Sequence, residues 1–131
     1  MFEAGLRKVL IEWLRSDPAL DGKLNAITEE APLRTAAPWL GIVASASTDW
    51  STKTAKGREV RLAIELHLRG DAADTGSPIV TAIEDRITSF PSAQDGFAVA
   101  SAQFLRARAE QRANNLRAIL LEYRFRLLES S

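Results

Sequence analysis

FAVASAQFLRAR, residues 97–108, and LRAILLEYRFRLL, residues 116–128, flank a polar stretch containing QRANN, residues 111–115, and their alternation decides the fold. Successive side chains on a strand point to opposite faces, so a period of two over this length marks strands with one side buried against a second layer. On the last of them Ile119, Leu121, Tyr123, Phe125 and Leu127 alternate with Ala118, Leu120, Glu122, Arg124 and Arg126. Residues 58–69 repeat the pattern more cleanly, with Val60, Leu62, Ile64, Leu66 and Leu68 on one side and Arg61, Ala63, Glu65, His67 and Arg69 on the other. A fourth strand is read over WLGIVASASTDW, residues 39–50, whose small residues leave its burial open. STKTAKG between these two strands is too long and polar for a two-residue turn, which predicts a protruding, mobile hairpin loop.

Working outward, Phe2, Leu6, Val9, Leu10, Trp13 and Leu14 recur every three or four residues and predict an amphipathic helix over 3–15. Asp17-Pro18 stops it, because the residue before a proline is pushed out of the helical region. Residues 17–38 read mainly as a surface connection carrying Glu29, Glu30, Pro32 and Pro38, with a short helix over 21–28 as the alternative. Ser77-Pro78 reads as a helix cap followed by the first helical position, and Ile79, Val80, Ile83, Ile87 and Phe90 form the stripe behind it until Pro91. Four strands and two main helices predict an α+β, two-layer domain spanning residues 1–131, with a mainly antiparallel sheet covered on one face. The other face is then partly apolar and partly charged, and is free to meet a protein.

Composition narrows the function. The 131 residues carry 17 Lys plus Arg against 17 Asp plus Glu, so the global positive field of a phosphate-gripping protein is missing. The absence of cysteine excludes disulfides and thiolate metal sites and fits a reducing compartment. The first residues read as a folded helix and not a signal peptide, and no apolar run approaches the roughly 18 residues of a membrane span.

Catalytic chemistry finds little footing. His67 is the only histidine and stands among solvent-side residues without ligand-spaced companions. Glu59 and Glu65 share a face but lie roughly 20 Å apart along the strand, too far for paired carboxylate chemistry. The loop carrying Lys53 and Lys56 lacks the glycine spacing of a phosphate cradle. No catalytic residue, cofactor site or metal site is assigned. The expected interface or channel residues are Trp50, Lys53, Lys56, Arg58, Arg61, Arg106, Arg108, Arg124 and Arg126. Each of the last two arginine pairs occupies one face of its strand. Trp39 and Trp50, eleven positions apart, are expected on opposite faces, with Trp50 the outward one.

The order of these pieces resembles the tail-completion and tail-terminator proteins of long-tailed phages and gene transfer agents, related to the phage lambda tail terminator. The matching residues are Asp17-Pro18-Ala19-Leu20 after the first helix, Pro38-Trp39 and Asp49-Trp50-Ser51-Thr52 around the first strand, and Gly57-Arg58-Glu59 entering the next. Ile79, Ala82, Ile83 and Ile87 of the second main helix, and the closing strand pair, complete the match. KLNAITEEAPLRTAAP replaces a basic-aromatic stretch common in the family, and His67-Leu68 replaces an aromatic strand ending. The resemblance implies a closed ring, usually of six copies, that caps the head-proximal end of the tail tube and joins it to the head connector. Double-stranded DNA would pass through its centre, and the protein would reside in the particle after assembly in the bacterial cytoplasm. The alternatives are a head-completion or stopper protein, a small α+β ligand-binding enzyme with a pocket between its layers, and a nucleic-acid-binding sheet.

Overall fold

The computed structural model describes residues 2–30, 34–70 and 73–130, and Pro32 lies outside them. The elements in order are α1 (Phe2–Arg15), α2 (Pro18–Asp21), β1 (Ala26–Thr28), β2 (Trp39–Asp49), β3 (Gly57–Arg69), α3 (Ala73–Thr88), β4 (Phe97–Arg112) and β5 (Leu116–Glu129). The strands form one sheet in the order β1-β2-β3-β5-β4; β1 runs parallel to β2, and every other pairing is antiparallel.

The α+β expectation holds, with five strands in place of four and three helices in place of two. The added strand, β1, is three residues long and too short to show a period; its pairing with residues 39–41 of β2 creates it. Asn25 anchors that pairing, its backbone N–H donating to Pro38 O at 2.8 Å. The optional helix falls at Pro18–Asp21 and not over 21–28. Asp17 caps it by accepting from Ala19 N–H at 3.1 Å, with Pro18 in the first turn, so the signal that ends α1 also starts α2. The helix expected to open at Ser77 begins at Ala73 and keeps Pro78 inside it. Gly76 explains the extra turn: a Cβ there would come within 2.5 Å of Leu68 Cδ1, so the glycine lets that turn lie directly on β3.

α1 lays Leu6, Leu10, Ile11 and Leu14 and α3 lays Ile79, Ile83 and Ile87 onto the face formed by the even-numbered residues of β3 and the odd-numbered residues of β5. Phe125 is fully buried at the centre, edge-on to Phe90 with ring centroids 6.3 Å apart. The two helices are joined by Trp13, whose indole N–H donates to Arg86 O at 2.7 Å while the Arg86 guanidinium lies 3.4 Å from the ring centroid.

β-Bulges break the alternation at three places. Val43 in β2, Ala100 in β4 and Leu105 in β4 have no ladder partner, and each resets which face the following residues occupy. The β4–β5 connection is tighter than QRANN suggested: Gln111 and Arg112 still pair, and the turn is Ala113–Asn114–Asn115, with both asparagines at positive φ.

Candidate functional site

With the helices on one side, the opposite face of the sheet is built from ladder rows that cross four strands. They read Thr48–Glu59–Arg126–Ser101, Ala46–Arg61–Arg124–Gln103, Ala44–Ala63–Glu122–Arg106, Gly41–Glu65–Leu120–Arg108 and Trp39–His67–Ala118–Glu110. Apart from Trp39, β2 contributes small side chains, while β3, β5 and β4 contribute charge.

The charge is arranged as pairs. Glu59 accepts a hydrogen bond from Arg126 Nε at 3.1 Å and has Arg61 and Arg124 each at 3.9 Å. Arg124 also donates to the Gln103 side-chain oxygen, and Arg106 is bound to Glu122. The hydrogen bond and charge of Glu122 push the Arg106 pKa up, holding that guanidinium protonated. Glu110 lies 3.3 Å from Arg108 and 3.0 Å from Arg112, and Arg112 reaches on to Glu65 at 3.3 Å. Glu65, the buried charged residue of the described chain, also bonds His67, which stacks on Trp39 at 4.1 Å between centroids. Four glutamates thus stand among six arginines. Side chains of Arg61, Arg106 and Arg108 remain 54–64% exposed, so the face is mildly basic outward and neutralised at its base.

Of the expected interface residues, the structure brings Arg61, Arg106, Arg108, Arg124 and Arg126 onto this one face. Trp50 joins them: Arg126 lies 5.4 Å over its half-buried ring. The expectation that Trp39 and Trp50 occupy opposite faces is corrected, because the extra residue at Val43 inverts the alternation and returns both tryptophans to the same side. Arg58 points the other way and is held on the helix side by Glu3 at 3.0 Å. Lys53 and Lys56 sit exposed on the loop between β2 and β3. That loop is tied internally by Thr52 N–H to Ala55 O at 2.8 Å and Gly57 N–H to Ser51 Oγ at 3.0 Å. The sequence reading missed Arg112 and the organising role of Glu59, Glu65, Glu110 and Glu122. Their parity relative to the core residues was the available signal on β3 and β5, but the bulges hid it on β4.

The alternatives fare poorly on geometry. A ligand pocket between the layers has no room, since Leu6, Leu10, Leu14, Ile83, Leu62 and Ile64 fill that space and are buried. Among the described residues no group of three or more His, Asp or Glu could hold a metal. Among the described residues an aromatic platform for bases is also missing: of Phe97, Phe104, Tyr123 and Phe125 only Phe104 is exposed. Among the described residues no helix is long and apolar enough to cross a membrane.

A sealed apolar layer on one side, a paired-charge face on the other and long strand edges define a structural protein of assembly. The comparisons agree. Residues 8–128 match the family model described as Tail completion protein gp17, so the chain belongs to that family. It is a structural tail-completion component of a phage-type particle. A chain in the virion of a native gene transfer agent particle shares the fold, with a TM-score of 0.79 over 98% of this chain and 97% of that one at 21% identity. No curated protein matches the chain in sequence.

Proposed function

We propose that copies of this chain close into a ring, of six subunits, that caps the head-proximal end of a tail tube. One ring face complements the last tube ring and the opposite face lacks the shape to recruit another, so tube growth stops there. That second face meets the head connector or stopper protein. Repeated heterologous contacts of cyclic symmetry perform this work without chemistry.

The observation that carries this reading is the uncovered charged face. Arg106, Arg124 and Arg126 on it each face a carboxylate on the neighbouring strand, which suits a surface past which DNA slides without being held. In the ring, Arg61, Arg106, Arg108, Arg124 and Arg126 with Trp50 form the channel or subunit interface. Lys53 and Lys56, with Arg58 at the base of their loop, reach the tube or a neighbouring copy.

Electron microscopy of the purified protein with and without tail tubes tests the proposal. The expected result is a ring stacked on one tube end. Replacing residues 51–56 by a short glycine turn should leave the fold intact and abolish capping. Selective retention of portal or adaptor protein with no affinity for tubes would instead identify a stopper.

A further inference from the structure

Among the described residues, two edges of the sheet lack a strand partner. β1 covers β2 only at residues 39–41, so residues 43–49 meet no described strand. Across the sheet, residues 92–94 bond β4 only as far as Val99, which leaves residues 100–112 bare. Exposed edges of this length are templates for another strand, and monomeric proteins usually blunt them.

Three further observations say what fits. The large apolar side chains left exposed among the described residues are Val43, 39% exposed, and Phe104, 44% exposed, one on each bare edge. They also stand at nearly the same height: the ladder row Ser45–Leu62–Tyr123–Phe104 puts Phe104 level with Ser45, two residues from Val43. Finally, β2 and β4 run in opposite directions, so a copy placed beside another in the same orientation meets it with antiparallel edges.

Charge disfavours the like pairing of two β4 edges. Two β4 edges brought together would set Arg106 and Arg108 against the same arginines of the other copy, which repel across a ladder. The β2 edge offers Ala44, Ser45, Ala46, Ser47 and Thr48, uncharged and small. Beside Val43 lies a surface hollow of about 440 Å³ bounded by Arg7, Glu29, Glu30, Ile42, Ala44 and Ser45. Phe104 projects to the helix side of β4, the side on which Arg7 of α1 borders that hollow.

We infer that the β4 edge of one copy adds to the β2 edge of the next as an antiparallel strand, with Phe104 seated in the hollow beside Val43. Each copy then uses two different edges, and the contact repeats until rotation closes it. This inference rests on the self-assembly proposed above and assigns the surfaces that carry it.

The chain has no cysteine, so engineered thiols report one contact at a time. Full-length Val43→Cys and Phe104→Cys proteins, oxidised alone and mixed, with and without tail tubes, should form a disulfide dimer only when mixed. The double variant should give a ladder of covalent multimers. No cross-link in the mixture, or equal cross-linking of Phe104→Cys alone, overturns the inference. As a second measurement, Phe104→Glu should reduce the sedimenting species to monomer with an unchanged circular dichroism spectrum, and an unchanged assembly size would also overturn it. Rings on tube ends without the mixed cross-link would sink the edge pairing and leave the ring standing. Cross-linked open chains with no ring would do the reverse.

Discussion

Glu59 and Arg126 are hydrogen-bonded at 3.1 Å across the β3–β5 ladder, and Glu59 is the carboxylate shared by Arg61, Arg124 and Arg126. Three guanidiniums crowd one face of the sheet because a single, mostly buried acid holds them. Arg61, Arg124 and Arg126 are therefore coupled through one carboxylate.

Removing that acid should be felt beyond one ion pair. Glu59→Ala is expected to lower unfolding stability in urea by about 2 kcal/mol, since partly buried charges lose their partner. The double variant with Arg126→Ala should lose clearly less than the sum of the two single losses, by more than the roughly 0.5 kcal/mol scatter of independent sites.

Glu65 gives a sharper case, because its side chain is 8% exposed and relies on His67 and Arg112. Arg112→Ala should cost about 1–3 kcal/mol, less than the roughly 3–5 kcal/mol of breaking a fully buried pair, since Arg112 is partly exposed and His67 remains. Glu65→Gln in the same background should recover part of that loss in thermal melts. If the second change adds a further full loss, the pair is not coupled.

Acid should loosen the α1–β2 contact. The Ser47 hydroxyl bonded to Glu3, helped by the Glu3 backbone N–H, lowers the Glu3 pKa from 4.5 to about 2. A depressed folded-state pKa means the contribution is complete above about 4.5 and disappears as pH falls toward about 2. Ser47→Ala should flatten the stability profile across that window by about 1 kcal/mol, the worth of such a hydrogen bond. Unfolding curves at successive pH values read it directly.

The β4–β5 turn depends on left-handed backbone. Asn114 and Asn115 have φ of 62° and 57°, so Asn114→Ala should cost about 1 kcal/mol while Asn114→Gly is tolerated. Gly70→Ala should be worse, because a Cβ there would lie 2.4 Å from Asn115 Oδ1 and 3.0 Å from Asn115 O. The melting temperature should be highest for Asn114→Gly, lower for Asn114→Ala and lowest for Gly70→Ala.

Much of this architecture was legible in the chain. The parity of β3 and β5, the stripe of α1 and the stops at Asp17-Pro18 and Pro91 are local patterns, and each reappears with its expected face buried. β1 was not legible, because three residues cannot display a period and their strand conformation comes from Trp39, Leu40 and Gly41 alongside them. The start of α3 escaped for a similar reason: the Ser77-Pro78 signal is real, but contact between Gly76 and Leu68 carries the helix back past it.

The sequence by itself determined that one side of a long-stranded sheet is buried under two amphipathic helices, since the periods of two and 3.6 are imposed by backbone geometry. Only the tertiary structure decided the other side. Bulges at Val43, Ala100 and Leu105 reset the alternation, put Trp39 and Trp50 on the same face and leave Arg106 and Arg108 on the face of Arg124 and Arg126. An unpaired residue is fixed by how neighbouring strands twist and register against one another, and that information lies between strands and not along any one of them.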